Sequence, residues 1–389
     1  MRSALAEVVL ALCVAAVVYA LSCALVWPEP APKGFGLEWQ QMSTDPAALH
    51  GRFPHRILAS LLAYLTGMGG ERFVVFVRGL HVVMLACVFL YARRLGTARF
   101  DAALVALAVA VTAPVQMYKQ HWVGYCDPLG FALFLLMAIC ARHRAVFWSL
   151  FLASLTTHEL SVFLLPWLWF LRRREDAAWR RDLVWLVAVM VAYGAFYLAV
   201  RAVAQPQFAA DFFLAHPLFP WGALAMWLMA LAHWLLTFGP LVAVLAWHQH
   251  TRASGRERWQ LWLVVLAVGT ILSIAYDYSR HANLLVLPFV LASARFVAAG
   301  HRRAYVALVA ATVAALSLWP PWQRGVPAPA HELVERLAAF GFPPRDLIRV
   351  VTEWLPAVWP ILLVIYALLA AVWLSGWALA RWWCRAPAT

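Results

Sequence analysis

The sequence predicts an all-α, polytopic helical membrane protein of about ten spanning helices plus one short-helix re-entrant hairpin. Three observations predict it. Of 389 residues, 65% are hydrophobic and 13% charged, and the mean hydropathy is +0.75, a balance foreign to water-soluble domains. Apolar runs of spanning length recur from end to end with short polar joints between them. Arg collects at one set of joints: segments 172–181, 252–258, 302–303 and 381–385 hold twelve Arg, whereas the opposite joints hold five (Arg280, Arg324, Arg336, Arg345 and Arg349). That asymmetry marks the richer side as cytoplasmic. No long soluble stretch intervenes, so 1–389 reads as a single transmembrane domain of the cell inner membrane, with both termini cytoplasmic.

The first apolar run, Ala4 to Trp27, is long enough to span and lacks a small-residue cleavage site, so it reads as a helix leaving the cytoplasm rather than a signal peptide. Pro28, Pro30 and Pro32 stop it. The first external loop, 28–71, carries Glu29, Glu38 and Asp45, and then a short amphipathic helix over 56–65 that suits the interface, where Arg52 and Arg56 can snorkel to headgroups. Helix 73–91 runs inward to Arg93-Arg94 with Arg78 and His81 inside it, and an Arg at that depth needs a partner, for which Asp127 and Glu159 are candidates. Helix 102–117 returns outward to Tyr118-Lys119-Gln120-His121-Trp122. The next helix opens at Cys126-Asp127-Pro128, where Pro is tolerated and Asp127 suits the positive helix end as a cap.

The segment 142–181 has basic flanks and only 26 mostly apolar residues, Val146 to Leu171, between them. Two full crossings need about 40 residues. The Arg asymmetry of the later joints favours two cytoplasmic flanks, so the segment is expected to enter the bilayer and turn back. Its turn, Thr156-Thr157-His158-Glu159, is polar where apolar residues belong. Ionisable groups at membrane depth point to function, although a His–Glu pair can also simply satisfy the helix ends there. Helices over 183–203, 222–246, 259–276, 282–299, 304–319 and 355–379 complete the chain, with His233 a core histidine. The short external turn Asp277-Tyr278-Ser279-Arg280-His281 and the Pro-rich external loop 320–354 separate some of them.

The net charge of +13 comes almost wholly from Arg. Scattered at helix ends, these residues fit the cytoplasmic bias and contact with an anionic bilayer, and exclude nucleic acid as a partner. The six Cys show no metal-ligand spacing. Chemistry collects on the outer side instead: Asp45, Arg52, His55, Arg56, Lys119, His121, Asp127, Asp277, Arg280 and His281, with the hairpin turn beneath. Carboxylates, His and Arg on one interface suit a phosphate-bearing substrate: Arg forks phosphate, a carboxylate takes a proton or a metal, and His does either. Asp277 and Arg280 can also pair with each other across their turn.

The stretches TDPAALHGRFPHRILASLLAYL, RGLHVVMLACVFLYARRLG, YCDPLGFALFLLMAICARHR and LASLTTHELSVFLLPWLWFLRRR, over residues 1–181, resemble in pattern and order the membrane half of GT-C superfamily glycosyltransferases, with weaker support from YDYSRHANLLVLPF. Those polytopic enzymes transfer sugars from polyprenyl-phosphate donors outside the cytoplasm. The resemblance implies a catalytic acid in the first external loop at Asp45, with Glu38 as second choice, acting as general base on an acceptor hydroxyl or helping to hold a divalent metal. It implies a second acid at Asp127 and a polar hairpin turn at His158-Glu159. Arg280 would lie near the donor phosphate with Lys119 or His281 assisting, and His121 and Asp277 complete the substrate-binding set. Two features depart from the family: Asp45 stands without an adjacent acid, and no large soluble C-terminal domain follows. Two rival classes remain, a polysaccharide polymerase or ligase of another membrane class and a non-catalytic lipid-linked-glycan flippase or transporter.

Overall fold

The computed structural model describes residues 2–49, 51, 53–120, 122–175, 179–204, 228, 231–232, 234–235, 237–251, 255–272, 278–318 and 349–385. Among these the chain is helical without strands. In order the helices are α1 (Arg2–Cys23), α2 (Phe35–Met42), α3 (Leu58–Leu65), α4 (Phe73–Arg94), α5 (Arg99–Ala110), α6 (Ala113–Gln120), α7 (Asp127–Ile139), α8 (Arg144–Thr157), α9 (Leu165–Glu175) and α10 (Trp179–Val203). They continue with α11 (Val242–His250), α12 (Gly255–Leu272), α13 (Tyr278–Ala282), α14 (Val286–Ala298), α15 (Arg302–Leu318) and α16 (Leu355–Arg385).

Five stretches among the described residues are long and apolar enough to cross a membrane: Ala4–Cys23, Gly70–Arg94, Trp179–Val203, Arg280–Ala298 and Val351–Trp382, with α5 and α6, bent by 43° at their break, making a sixth if counted as one span. The break has a local cause. Pro114 has no N–H to give α6's first turn a link backward, and Thr112 Oγ1 donates to the Val109 carbonyl at 2.8 Å. Three of the other expected spans are shorter or more charged: α7 has 13 residues, α15 has 17, and α12 opens on Gly-Arg-Glu-Arg. Much of the stretch 222–241 and all of 320–348 lie outside the described residues, as do Arg52 and His233.

Two compact units divide the chain: Met1–Arg94 with Val115–Ala215, and Leu95–Pro114 with His216–Thr389. In the first, α4 packs between α1 and α7, α7 against α8, and α8 against α10. Its core is apolar and aromatic, with Phe73, Phe89, Phe147, Trp148, Phe151 and Trp167 nearly sealed from solvent. In the second, α11 packs on α16 and α14, and α14 packs on α5. Gly376 lets α16 come close to α11, because a Cβ there would stand 2.3 Å from the Ala243 carbonyl oxygen.

The segment between the basic flanks turns back on itself. α8 is about 21 Å long at 1.5 Å per residue, too short for a hydrocarbon core of about 30 Å. It ends at Thr157, a 3-10 stretch Glu159–Leu164 reverses the chain, and α9 returns. One carboxylate gathers both ends. Asp182 Oδ1, at the start of α10, accepts from Arg144 Nε at 2.8 Å, from Arg172 Nε at 3.1 Å and from Trp148 Nε1 at 3.3 Å. Arg172 also donates to the Ala141 carbonyl at 2.6 Å. Three donors on a fully buried acid hold both arms to one end of the unit.

Candidate functional site

The first loop, 28–71, is stitched down along most of its length. Glu29 N–H donates to the Lys119 carbonyl at 2.9 Å and Lys33 N–H to the Val123 carbonyl at 3.0 Å. Lys33 Nζ reaches the Gln120 carbonyl at 2.9 Å. Gly36 sits against the turn at 123–124, and a Cβ there would fall 2.2 Å from the Val123 carbonyl oxygen, so only glycine allows the approach. Around it Phe35, Trp39, Phe53 and Tyr125 form an edge-to-face cluster with centroids 5.1 to 6.2 Å apart. Gln40 and Ser43 then bond the backbone of Gly70, closing the loop onto the start of α4.

The far end of this loop is locked to the hairpin turn. Glu159 Oε2 lies 2.9 Å from His55 Nε2 and accepts from Arg56 Nε at 2.8 Å, while its Oε1 accepts from Arg56 Nη2. His158 Nδ1 accepts from Leu160 N–H at 3.3 Å, capping the 3-10 stretch, and stands 3.8 Å from the Glu159 carboxylate. Arg56 stacks over Phe53 at 3.9 Å, and His55 meets Tyr197 edge-on at 5.2 Å. Glu159 is therefore an anchor, forked by Arg56 and bonded by His55. Arg56 does not snorkel as the sequence suggests. It is 3% exposed, because a carboxylate waits for it inside.

Between these two fixed regions Asp45 is exposed. Its carboxylate accepts from Ala47 N–H at 3.2 Å and caps the 3-10 turn Pro46–Ala48. The turn ends at Leu49 with φ +49°, the one non-glycine residue in the left-handed region among the described residues. Such a conformation costs about 1–3 kcal/mol and persists where the surroundings impose it. Glu38 lies behind the turn, with its Oε2 3.0 Å from the position of a Cβ on Gly51.

The remaining expected residues are placed differently. Asp127 opens α7 in its first turn, but Cys126 holds the capping position, and the Cys126 side chain makes no capping hydrogen bond. Lys119 is 2% exposed; its ammonium donates to Ser22 Oγ at 2.6 Å and lies 4.9 Å over the Tyr19 ring, so it is built into the packing of α1 rather than presented outward. Arg78 finds its partner in the Glu29 carbonyl oxygen at 2.7 Å, not in Asp127 or Glu159. Arg280 and His281 are buried at the opening of the Arg280–Ala298 stretch in the second unit. His121 and Asp277 lie outside the described residues. Among the described residues no three His, Cys, Asp or Glu side chains converge in a metal-binding group.

Fold and site together define a class: a chain that is helical over its described residues, with five helices among them suited to a bilayer, and whose first loop is pinned to a turned-back hairpin. No family model, curated protein or solved structure matches the chain.

Proposed function

We infer that this chain is an integral-membrane glycosyltransferase of the GT-C kind, with about ten crossings and its hairpin re-entrant from the cytoplasmic side. It takes a sugar from a polyprenyl-phosphate donor and passes it to an acceptor outside the cytoplasm. The observation that carries the reading is the exposed Asp45 carboxylate on a strained turn of a loop that is otherwise tied down on both sides. A base must keep its position while the substrates move, and fixing the flanks while leaving one carboxylate open meets that need. In the reaction the acceptor oxygen bonds to the anomeric carbon as the bond from that carbon to the donor phosphate oxygen breaks. Asp45 takes the acceptor proton, and polyprenyl phosphate leaves with the bonding electron pair. No step requires a metal.

The test uses the purified protein in nanodiscs with labelled polyprenyl-phosphate-linked hexose, pentose and N-acetylhexosamine, and follows release of polyprenyl phosphate. The wild type is expected to consume at least one donor, and Asp45→Asn to consume none. An active Asn variant removes Asp45 as the base. Movement of intact donor across a proteoliposome membrane, with no donor cleaved, replaces the enzyme reading with a transporter.

A further inference from the structure

The second unit contains a cavity of about 770 Å³, well inside the size range of small-molecule and lipid sites. It lies at the end of the unit where α14 hands over to α15, beside the last turns of α16. Trp247, Phe296, Leu379 and Trp382 supply its apolar wall, and Arg302 and Arg303 its polar edge. The wall is not a finished core: Leu379 is 39% and Trp382 69% exposed, both on α16. Exposed aromatic surface beside a void invites an apolar occupant rather than water.

The two Arg differ in a way that identifies the occupant's charge. Arg302 is spoken for, since its Nε and Nη2 fork the Asp101 carboxylate at 2.6 and 3.0 Å. Arg303 is exposed in the first turn of α15, where a helix's positive end adds to its charge. Among the described residues the cavity has no acidic lining residue. An apolar wall with a cationic edge complements a molecule with an apolar body and an anionic head. A free phosphate would satisfy Arg303 but leave the Trp and Leu surface wet. These segments also belong to the Arg-rich joints, where a membrane surface and its headgroups lie within reach.

We propose that this cavity binds an anionic phospholipid, its phosphate at Arg303 and the start of α15, and its acyl chain along Trp247, Phe296, Leu379 and Trp382. The site is independent of the glycosyl-transfer reading, and its test does not use activity.

The full-length protein is reconstituted in nanodiscs of phosphatidylcholine with an equal share of phosphatidylglycerol, released into mild detergent, and its retained lipids are read by native mass spectrometry. The wild type should keep phosphatidylglycerol in preference to phosphatidylcholine. Arg303→Gln should weaken that retention about five-fold, as loss of one cation near a membrane surface does, and Trp382→Ala should lower retention of both lipids. Arg258→Gln, another exposed Arg at an Arg-rich joint, should leave it unchanged. Three results overturn the proposal: no preference in the wild type, equal losses in the Arg258 and Arg303 variants, or displacement of the lipid by millimolar inorganic phosphate alone. Circular dichroism confirms that each variant is folded before comparison.

Discussion

Arg56→Met removes the guanidinium that forks Glu159 while keeping an unbranched chain in the same space. Arg56 is 3% exposed and the Glu159 side chain 27%. Breaking a fully buried pair by deleting one partner costs about 3–5 kcal/mol. Water reaches part of Glu159 and His55 still bonds it, so the loss expected here is about 2–3 kcal/mol. The informative partner is the double variant Arg56→Met with Glu159→Leu, in which no charge remains to be desolvated. Because apolar replacement of a buried ion pair is often neutral, the double variant should return to within about 1 kcal/mol of wild type, the residue being the lost bond to His55. Equilibrium unfolding in mixed micelles of rising SDS content, followed by Trp fluorescence, reads these differences. A single-variant cost below about 0.5 kcal/mol, or a double variant costing the sum of the singles, refutes the view that this pair holds loop to hairpin.

Three further outcomes follow from the geometry. Asp182→Asn leaves Arg144 and Arg172 facing a neutral amide in a sealed site, and should lower stability by about 3 kcal/mol, seen as a lower unfolding midpoint. Gly36→Ala drives a methyl group into the Val123 carbonyl oxygen; an overpacking cost of about 1–3 kcal/mol and faster proteolysis of the 28–71 loop should accompany it. Asp45→Asn should leave stability within about 0.5 kcal/mol of wild type, because Asn caps a turn as well as Asp does, so any lost transfer in that variant reports chemistry and not folding.

The turn-back between the basic flanks is legible in the sequence because 26 apolar residues cannot supply two crossings, and Thr156 to Glu159 interrupt them. Asp182 is not singled out there, although an acid closing the run Arg180-Arg181-Asp182 is a signal that could have been read. Arg56 illustrates a different failure. An Arg on a short amphipathic helix near an interface ordinarily reaches outward, and only the long-range approach of Glu159, 103 residues away, turns it inward. Lys119 fails in the same way: its neighbours in sequence are polar and suggest exposure, but Ser22 and Tyr19 enclose it. Leu49 gives no sequence signal, since its left-handed backbone is imposed by the fixed segments on either side.

The sequence by itself determined the helical, apolar character of this chain, its longest bilayer-suited helices, and the polar break in the hairpin. Those properties depend on composition and periodicity, which act over a few turns of chain. Only the tertiary structure decided which charges are used up and which remain available. Glu159 is bound by Arg56 and His55, and Asp182 by Arg144, Arg172 and Trp148, whereas Asp45 stays open on its turn. The physical reason is that a buried charge must find a partner somewhere in the fold, and that partner is chosen by proximity in space rather than along the chain.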